Sequence, residues 1–383
     1  MGTRSPPGRG LPDPAEALGL PADIIDGPWP GWLPVTDAGV VPLGPHAIVP
    51  ALREALRTVD RRTFLTVSST ALTTLASDWS TDTIKPAPSP PASTGGDLAD
   101  VLEASVRHLT AAGPDHHPHT TRLLREHLAT VTDLLQHGHA TASVTHRLHA
   151  LAADFAHTLA WRRFDQGDHA HAAQYWIAAL HNTRATGATD RGAGLLSDLA
   201  YQATWQGDHL LARQLLTHAL TRAGHPAARS LLHLRLARTH AALHEHRPAL
   251  HALTAAEHHL GRAGGDRPAW CAWLSDADLA VDSGQALLDL GDTARARKLI
   301  TDGERLLPAA RDKTRSIFLA YRATSHLDAG EPEPAAVAAT QALLLARATG
   351  APRCTHLITA LLLRFQPYHH AEGVDEFLHH ART

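Results

Sequence analysis

The sequence is poor in several residue types, and each scarcity argues against a class of protein. It has only two cysteines, Cys271 and Cys354, and they lack a CxxC spacing. A disulfide framework is therefore not indicated, and a reducing cytosol is the simplest setting.

Lysine occurs only three times and the net charge is −3. This argues against a large nucleic-acid surface, which needs clustered Lys and Arg. Aromatic residues make up only 5% of the chain.

Long hydrophobic runs are also missing. No stretch of eighteen or more apolar residues occurs, so we expect no membrane-spanning helix and no membrane partner. The N-terminus, Met1 to Gly10, is polar and rich in Pro and Gly, unlike a signal peptide. Arg61-Arg62 resembles a twin-arginine export signal, but it lies far inside the chain before a Ser/Thr-rich segment. An amphipathic helix and a cytoplasmic protein are therefore the favoured interpretation.

The residues that are abundant favour helices. Hydrophobic residues make up 44% of the chain, much of it Ala and Leu, which are strong helix formers. No stretch alternates as a half-buried strand should. Composition and breakers divide the chain into four predicted parts. These are a Pro/Gly-rich irregular arm at 1–45, two short helices at 46–79, a flexible linker at 80–96 and a helical-repeat domain with capping helices at 97–383.

An internal repeat is the strongest signal in the sequence. Turns with a Gly-acid or related pair separate helical stretches at five places, which are Gly167-Asp168, Gly207-Asp208, His244-Glu245, Gly291-Asp292 and Gly330-Glu331. Counted from the first residue of each turn, the positions seven residues before, five after and twelve after are always Ala or Gly. They are Ala160, Ala200, Ala237, Gly284, Ala323, Ala172, Ala212, Ala249, Ala296, Ala335, Ala179, Ala219, Ala256, Gly303 and Ala342. Two antiparallel helices approach closely only where small residues face each other. The pattern predicts stacked helix pairs.

This register resembles the tetratricopeptide repeat. Leu199-Ala200-Tyr201, Gly207-Asp208, Ala212 and Ala219 stand where that motif has its signature residues. The resemblance covers about residues 150–350 and implies an all-α, right-handed superhelical solenoid of antiparallel helix pairs. Repeats are spaced by 37 to 47 residues, which is longer than the motif's usual spacing and implies extended helices or loops.

The chain also resembles a family of lambda-repressor-like (XRE-type) helix-turn-helix transcriptional regulators of high-GC bacteria. The segments that carry this resemblance are ALGLP at 17–21, GPWPGWLP at 27–34, DRRTFL at 60–65, YWIAAL at 175–180, LAYQA at 199–203 and ALLDLGD at 286–292. In that family the DNA-binding domain precedes the segment that begins near Ala15, and here only fourteen residues do. We therefore expect the sensor region alone, with DNA as a partner only if an N-terminal helix-turn-helix domain is missing from this chain.

The thirty histidines raise the question of a metal site. His116, His117 and His119 cluster in a Pro-containing turn, and His240 and His244 share one helix face. No HExxH motif, GxSxG motif or Gly-rich phosphate loop is present. A compositional bias explains the histidines better than metal binding does, so we expect no metal, no cofactor and no catalytic residues. A metal-dependent enzyme is kept only as a remote alternative.

The first helices of the repeats are the better candidates for function. Tetratricopeptide arrays bind their ligands along these helices, and the resemblance places nine residues on that concave groove, namely Asp154, His157, Trp161, Ser197, Tyr201, Trp205, Arg238, Asp278 and Gln285. Aromatic surface mixed with a few polar groups is typical of binding sites, although Trp161 and Tyr201 would also fit simple packing between repeats. We expect a non-catalytic regulatory module that binds a peptide, a small signalling ligand or a protein. A structural scaffold is the alternative, and a homodimer stays open.

Overall fold

The structure is a computed structural model that describes residues 40–44, 46–57, 68–81, 97–111, 117–137, 140–265 and 267–382. All regular secondary structure within these ranges is helical. Four helices come first, which are α1 (Ile48–Leu56), α2 (Ser69–Thr81), α3 (Asp97–Ala111) and α4 (His117–His137). His117 and His119, which we expected in a turn, lie instead in the first turn of α4.

Five helix pairs follow in the order that the repeat predicts. They are α5 (Ala142–Asp165) with α6 (His169–Thr186), α7 (Thr189–Trp205) with α8 (His209–Arg222), α9 (Pro226–Ala242) with α10 (His246–Gly261), α11 (Asp276–Asp289) with α12 (Thr293–Leu306), and α13 (Asp312–Asp328) with α14 (Pro332–Ala348). The helices of each pair pack mainly on one another, and successive pairs pack side by side. The predicted all-α, tetratricopeptide-like solenoid of antiparallel pairs is confirmed.

Short elements complete the chain after the last pair. These are α15 (Pro352–Thr359), α16 (Leu362–Phe365) and α17 (Val374–Arg382), with single 3-10 turns at Ala269–Cys271 and Gln366–Tyr368. Phe365 and Phe377 are fully buried, and their rings contact each other at a tilt of 55° with 4.8 Å between centroids. These aromatic rings extend the apolar core of α14 to the C-terminal helices, so they cover the end of the array as a capping element should.

The small residues lie at the helix crossings, as their spacing predicts. The Ala residues of the set are all 0 or 1% exposed. The fourth pair has glycine at two of these positions, where an added Cβ would be too close to the facing helix. A Cβ on Gly284 would lie 2.7 Å from Ile300 Cγ1 and 2.9 Å from the Ala296 carbonyl oxygen. A Cβ on Gly303 would lie 2.8 Å from the Ala277 carbonyl oxygen.

The five turns share one backbone conformation but differ in how their acids act. The glycines have positive φ, and His244 adopts the same conformation at φ 56°. Asp208 then caps the next helix by accepting from the Leu211 amide at 3.0 Å. The longer Glu331 reaches further and accepts two hydrogen bonds from Arg297 of the preceding repeat, both 2.8 Å long. Aspartate turns therefore cap a helix, whereas this glutamate turn joins neighbouring repeats.

The N-terminal helices lie on the outer, second helices of the first repeats. α1 packs on α6 and α4, and α2 packs on α8. The Ser69 hydroxyl donates to Asp208 at 2.6 Å, and the Arg222 guanidinium lies 4.9 Å from the ring centroid of buried Trp79. Further along, His181 Nε2 lies 3.1 Å from the Val41 carbonyl oxygen. The described residues 40–44, 46–57 and 68–81, here called the outer layer, thus add a layer outside the solenoid.

The predicted domain boundaries stay predictions. α2 extends to Thr81, two residues into the predicted linker, and the rest of that linker up to residue 96 lies outside the described residues. The predicted arm lies outside them up to residue 39, as does the Arg61-Arg62 pair.

The last helices return to the first repeat and close the solenoid into a ring. Arg353 of α15 donates through Nε to Asp165 of α5 at 3.0 Å and through Nη1 to the Tyr201 hydroxyl at 2.8 Å. Lys313 of α13 also pairs with Asp165. These residues are up to 188 positions apart in the chain. The Asp165–Lys313–Arg353 group is called the closure cluster below.

Candidate functional site

Ring closure leaves a partly open cavity of about 940 Å³ between the first helices of the pairs. Its wall is formed by α5, α7, α9, α11, α13 and α15, which all turn side chains toward the centre. Ligand sites in proteins have volumes of roughly 300–1,000 Å³, so this central cavity is large enough for a small molecule or a short peptide.

Six of the nine residues predicted for the groove line the central cavity, namely Trp161, Tyr201, Trp205, Arg238, Asp278 and Gln285. They come from four different repeats and meet only because the solenoid curves. That they bind a ligand stays a prediction.

The other three predicted residues lie outside the cavity lining and have partners within the fold. Asp154 is half exposed and pairs with Arg191 at 3.1 Å. His157 Nε2 lies 2.8 Å from Asp198 Oδ2. Ser197 is fully buried. These positions share the inner helices but lie behind or beside the cavity wall.

Asp198 organises the wall behind the cavity. Arg235 donates from Nη1 to Ser197 Oγ at 2.7 Å and to Asp198 Oδ1 at 2.8 Å. Burial alone would raise the pKa of the Asp198 carboxyl, but Arg235 and His157 hold that pKa below its usual value. Burial, reinforced by Arg191, lowers the pKa of His157. Asp198 is therefore ionised, has hydrogen-bond partners for both carboxylate oxygens, and holds Arg235 in place beside the cavity.

An aromatic cluster lies at one side of the cavity, where Trp161, Tyr201 and Trp205 line it and Phe164 is fully buried against them. Trp161, Phe164, Tyr201 and Trp205 pack with centroid distances between 5.6 and 6.1 Å. The Arg353 guanidinium lies over all four rings at 5.1 to 6.0 Å. Cation–π contacts of this kind stabilise a desolvated guanidinium. The cluster thus contributes to the cavity wall and also surrounds Arg353, the residue that closes the ring.

The opposite side is polar and is built on α11 and α13. Arg311 donates two hydrogen bonds to Asp278, both 2.8 Å long. Arg238 bridges α9 to these helices by donating to Asp282 at 2.9 Å and to the Tyr321 hydroxyl at 3.0 Å. Bidentate and charge-assisted bonds of this type hold side chains in one geometry, so this wall is preorganised.

A long connection between α10 and α11 shapes the rim. It accounts for the widest repeat spacing, and it places half-exposed Trp273 at the cavity edge. Its neighbour Trp270 lies against α7, where a Cβ on Gly194 would approach the Trp270 ring to 2.5 Å. Gly194 therefore permits this loop to dock, and the docked loop supplies Trp273.

Several cavity residues were missed at the sequence level. Asp289 and the closure residue Asp165 occupy the same place in the repeat as the predicted Trp205, two positions before the turn, so the register alone would have found both. Lys313, Arg353 and His356 had no such signal, because they come from the last repeat and from a capping helix that reach the cavity only through ring closure.

Two absences within the described ranges bear on alternative functions. No three His, Cys, Asp or Glu side chains in those ranges lie where they could together hold a metal ion. Within the same ranges, no helix has the length and apolar content needed to cross a membrane. The expectation that the chain is not an enzyme stays a prediction, since neither finding tests it.

Comparisons with known proteins identify no family. No family model matches the chain, and no curated protein matches it. One similar solved structure is the crystal structure of the APC/C hetero-tetramer Cut9-Hcn1, with 15% identity over 88% of this chain and 62% of that one, and a TM-score of 0.30. The chain thus spans less than two thirds of that protein's length. The fold assignment therefore rests on the helix pairs themselves.

Proposed function

We propose that this chain is a regulatory binding module whose central cavity holds a small ligand or short peptide and whose ring closure responds to it. The single observation that carries the proposal is the partly open 940 Å³ cavity with one aromatic side and one polar side. Rigid aromatic surface supplies contact area, and a few fixed polar groups supply orientation and specificity.

The response would run through the closure cluster and the outer layer. The cavity wall contains Lys313 and Arg353, which join the two ends of the solenoid. A ligand that contacts them differently in open and closed rings shifts that equilibrium by its differential affinity. The first repeats carry the outer layer, so a change of curvature would reach this layer. This agrees with the resemblance to the sensor region of helix-turn-helix regulators.

Binding is tested on the full chain with peptide and metabolite libraries, using thermal shift and tryptophan emission. Trp161, Trp205 and Trp273 line the cavity and serve as internal reporters. Thr324→Trp would fill the cavity, whereas Val337→Trp places the same ring on the outer face of α14, where Val337 is exposed. We expect hits that lose at least about tenfold in affinity in T324W and are unchanged in V337W. Absence of any hit with this behaviour would overturn the proposal.

The regulator assignment has its own test. Sequencing the DNA upstream of Met1 and mapping the native N-terminus by mass spectrometry would show whether a helix-turn-helix domain precedes Ala15 in the cell. A domain of that kind supports a transcription factor whose sensor is described above. A native chain that starts at Met1 without one would remove DNA from its partners and leave a binding protein.

A scaffold is the second candidate, and one observation favours it. Val337 and Leu344 lie two helical turns apart on α14 and are 56% and 60% exposed, so they form an apolar stripe on the outside of the ring. A partner that co-purifies with the chain, is lost in V337E/L344E and is insensitive to cavity ligands would favour this function.

A further inference from the structure

One face of α11 presents four polar side chains to the central cavity. Asp278, Asp282, Gln285 and Asp289 follow one another at spacings of four, three and four residues, and all of them line the cavity. This spacing places them in one row along a helix. The row contains three carboxylates, so its charge balance decides what the wall attracts.

Two of the three carboxylates have a cationic partner within the fold. Asp278 holds Arg311 with two hydrogen bonds, and Asp282 holds Arg238. Among the side chains that the structure describes, no cation forms an ion pair with Asp289. That carboxylate accepts a single bond at 2.8 Å from Gln285 Nε2. This end of the row therefore carries one negative charge more than its arginines compensate.

Gln285 supplies a second, independent indication. Its side chain is 8% exposed, and its Oε1 atom has no hydrogen-bond donor among the described residues. Leaving a buried acceptor without a donor destabilises the fold. The amide is anchored to Asp289 through its nitrogen, so its free acceptor oxygen lies beside an uncompensated carboxylate. A group that carries both a positive charge and N–H donors would satisfy both atoms.

The surrounding charges favour the same type of group. Burial raises the pKa of the Asp289 carboxyl, and Arg238 opposes this only in part. Elsewhere in the cavity lining, Lys313 and Arg353 share one carboxylate, Asp165, so positive charge is in excess around Asp165. An anionic group is therefore attracted away from α11 and a cationic group toward it.

Resting on the proposed function, we propose that Gln285 and Asp289 form the subsite that binds the ammonium or guanidinium group of the cavity ligand, whose apolar part contacts the aromatic cluster. Two sources share this chemistry, a free amine and a basic side chain of a short peptide. The N–H donors of the cation would bond to Asp289 and to Gln285 Oε1. Desolvated charge-assisted bonds of this kind are among the stronger polar contacts.

The test uses two sets of probes, each with a common aromatic part and polar ends that differ in charge. The first set is 2-phenylethylamine, 2-phenylethanol and 3-phenylpropanoate. The second is acetyl-Phe-Arg-amide and its citrulline counterpart, in which a neutral urea replaces the guanidinium. Affinities are measured by calorimetry on the full chain. We expect the cationic member of at least one set to bind at least about tenfold more tightly than its neutral or anionic relatives. The set that shows this preference identifies the source.

Variants locate the effect. Asp289→Asn should abolish the preference for the cation, and Gln285→Leu should reduce it. Asp302→Asn, which removes an exposed carboxylate on α12 outside the cavity, should retain it. An unchanged preference in D289N would overturn the inference, as would a cavity that prefers the neutral or anionic probes.

The two proposals fail in distinguishable ways. If library ligands bind in a manner blocked by T324W while neither cationic probe binds, the subsite is wrong and the binding function stands. If neither probes nor library ligands bind, both are wrong.

Discussion

Small residues at the helix crossings determine how closely the two helices of each pair approach. Most of these positions are alanine, and their side chains are buried against the facing helix. At Gly284 even a methyl group lacks room, because the backbone of α12 lies where that group would be. The effect of adding one carbon should therefore differ sharply between sites.

Gly284→Ala should destabilise the fold by about 1–3 kcal/mol, since overpacking forces a shift of α12. Gly261→Ala is the matched control. It is the last residue of α10 and has no heavy atom within 4 Å of its added Cβ, so it should be neutral or stabilise by less than the ~0.5–1 kcal/mol typical of a helix interior. Urea unfolding measures both. Equal effects at the two sites would contradict the close approach.

A buried histidine should make stability depend on pH. His181 is almost completely buried, its Nε2 faces the Val41 carbonyl oxygen, and its Nδ1 has no partner among the described residues. Burial lowers its pKa to about 4. Because the unfolded chain then binds more protons than the folded one between pH 6.5 and 4, stability falls as the pH is lowered through this range.

His181→Gln removes the titrating group and keeps an amide that can donate to Val41. Between pH 7 and 5 the free energy of unfolding should fall by about 2 kcal/mol more in the natural protein than in H181Q. His108→Gln, on an exposed position of α3, controls for the many other histidines and should keep the natural slope. Identical slopes for the natural protein and H181Q would refute the assignment.

At the scale of elements, the loop between α10 and α11 depends on one glycine. The Trp270 ring occupies the space that a Gly194 side chain would need, and the neighbouring Cys271 is fully buried. Burial raises the pKa of the Cys271 thiol to about 11, so the thiol should react slowly with disulfide reagents while the loop is docked.

Gly194→Ala should displace Trp270 and undock this loop. In a Cys354→Ala background Cys271 is the only thiol left to react. There we expect its labelling by a disulfide reagent to accelerate at least about tenfold. Gly265→Ala lies in the same loop, where an added Cβ meets no neighbour within 4 Å, and should leave the rate unchanged. A slow thiol in G194A would show that the loop does not rely on this contact.

Local rules explain why the helix pairs were predictable and the cavity only in part. Turn residues and small crossing residues act over a few positions, so periodic sequence reveals them. Trp161, Tyr201 and Arg238 followed from the same register. Trp273 depends on a loop without a repeat counterpart, and Arg353 depends on the accumulated curvature of five pairs. Such long-range placement has no local sequence signal.

At the scale of the whole molecule, ring closure rests on few contacts. Asp165 accepts from both Lys313 and Arg353, and Arg353 is almost completely buried among aromatic rings. Removing one partner of a buried ion pair commonly costs about 3–5 kcal/mol, because the remaining charge is left uncompensated. The closed ring should therefore be sensitive to replacing one carboxylate oxygen of Asp165 by an amide nitrogen.

Asp165→Asn should open the ring while leaving the helix pairs intact. We expect faster amide hydrogen exchange in α15 and α5, a larger radius of gyration by small-angle scattering, and little change in helix content. Asp328→Asn removes a carboxylate that pairs with Arg364 within the C-terminal part and should leave the radius unchanged. Because a ligand that prefers the closed ring must work against this opening, D165N should also weaken its binding. If the ring opens but the affinity for the ligand is unchanged, ring closure and ligand binding are uncoupled. A ligand in the cavity then cannot signal by changing how the two ends of the solenoid meet.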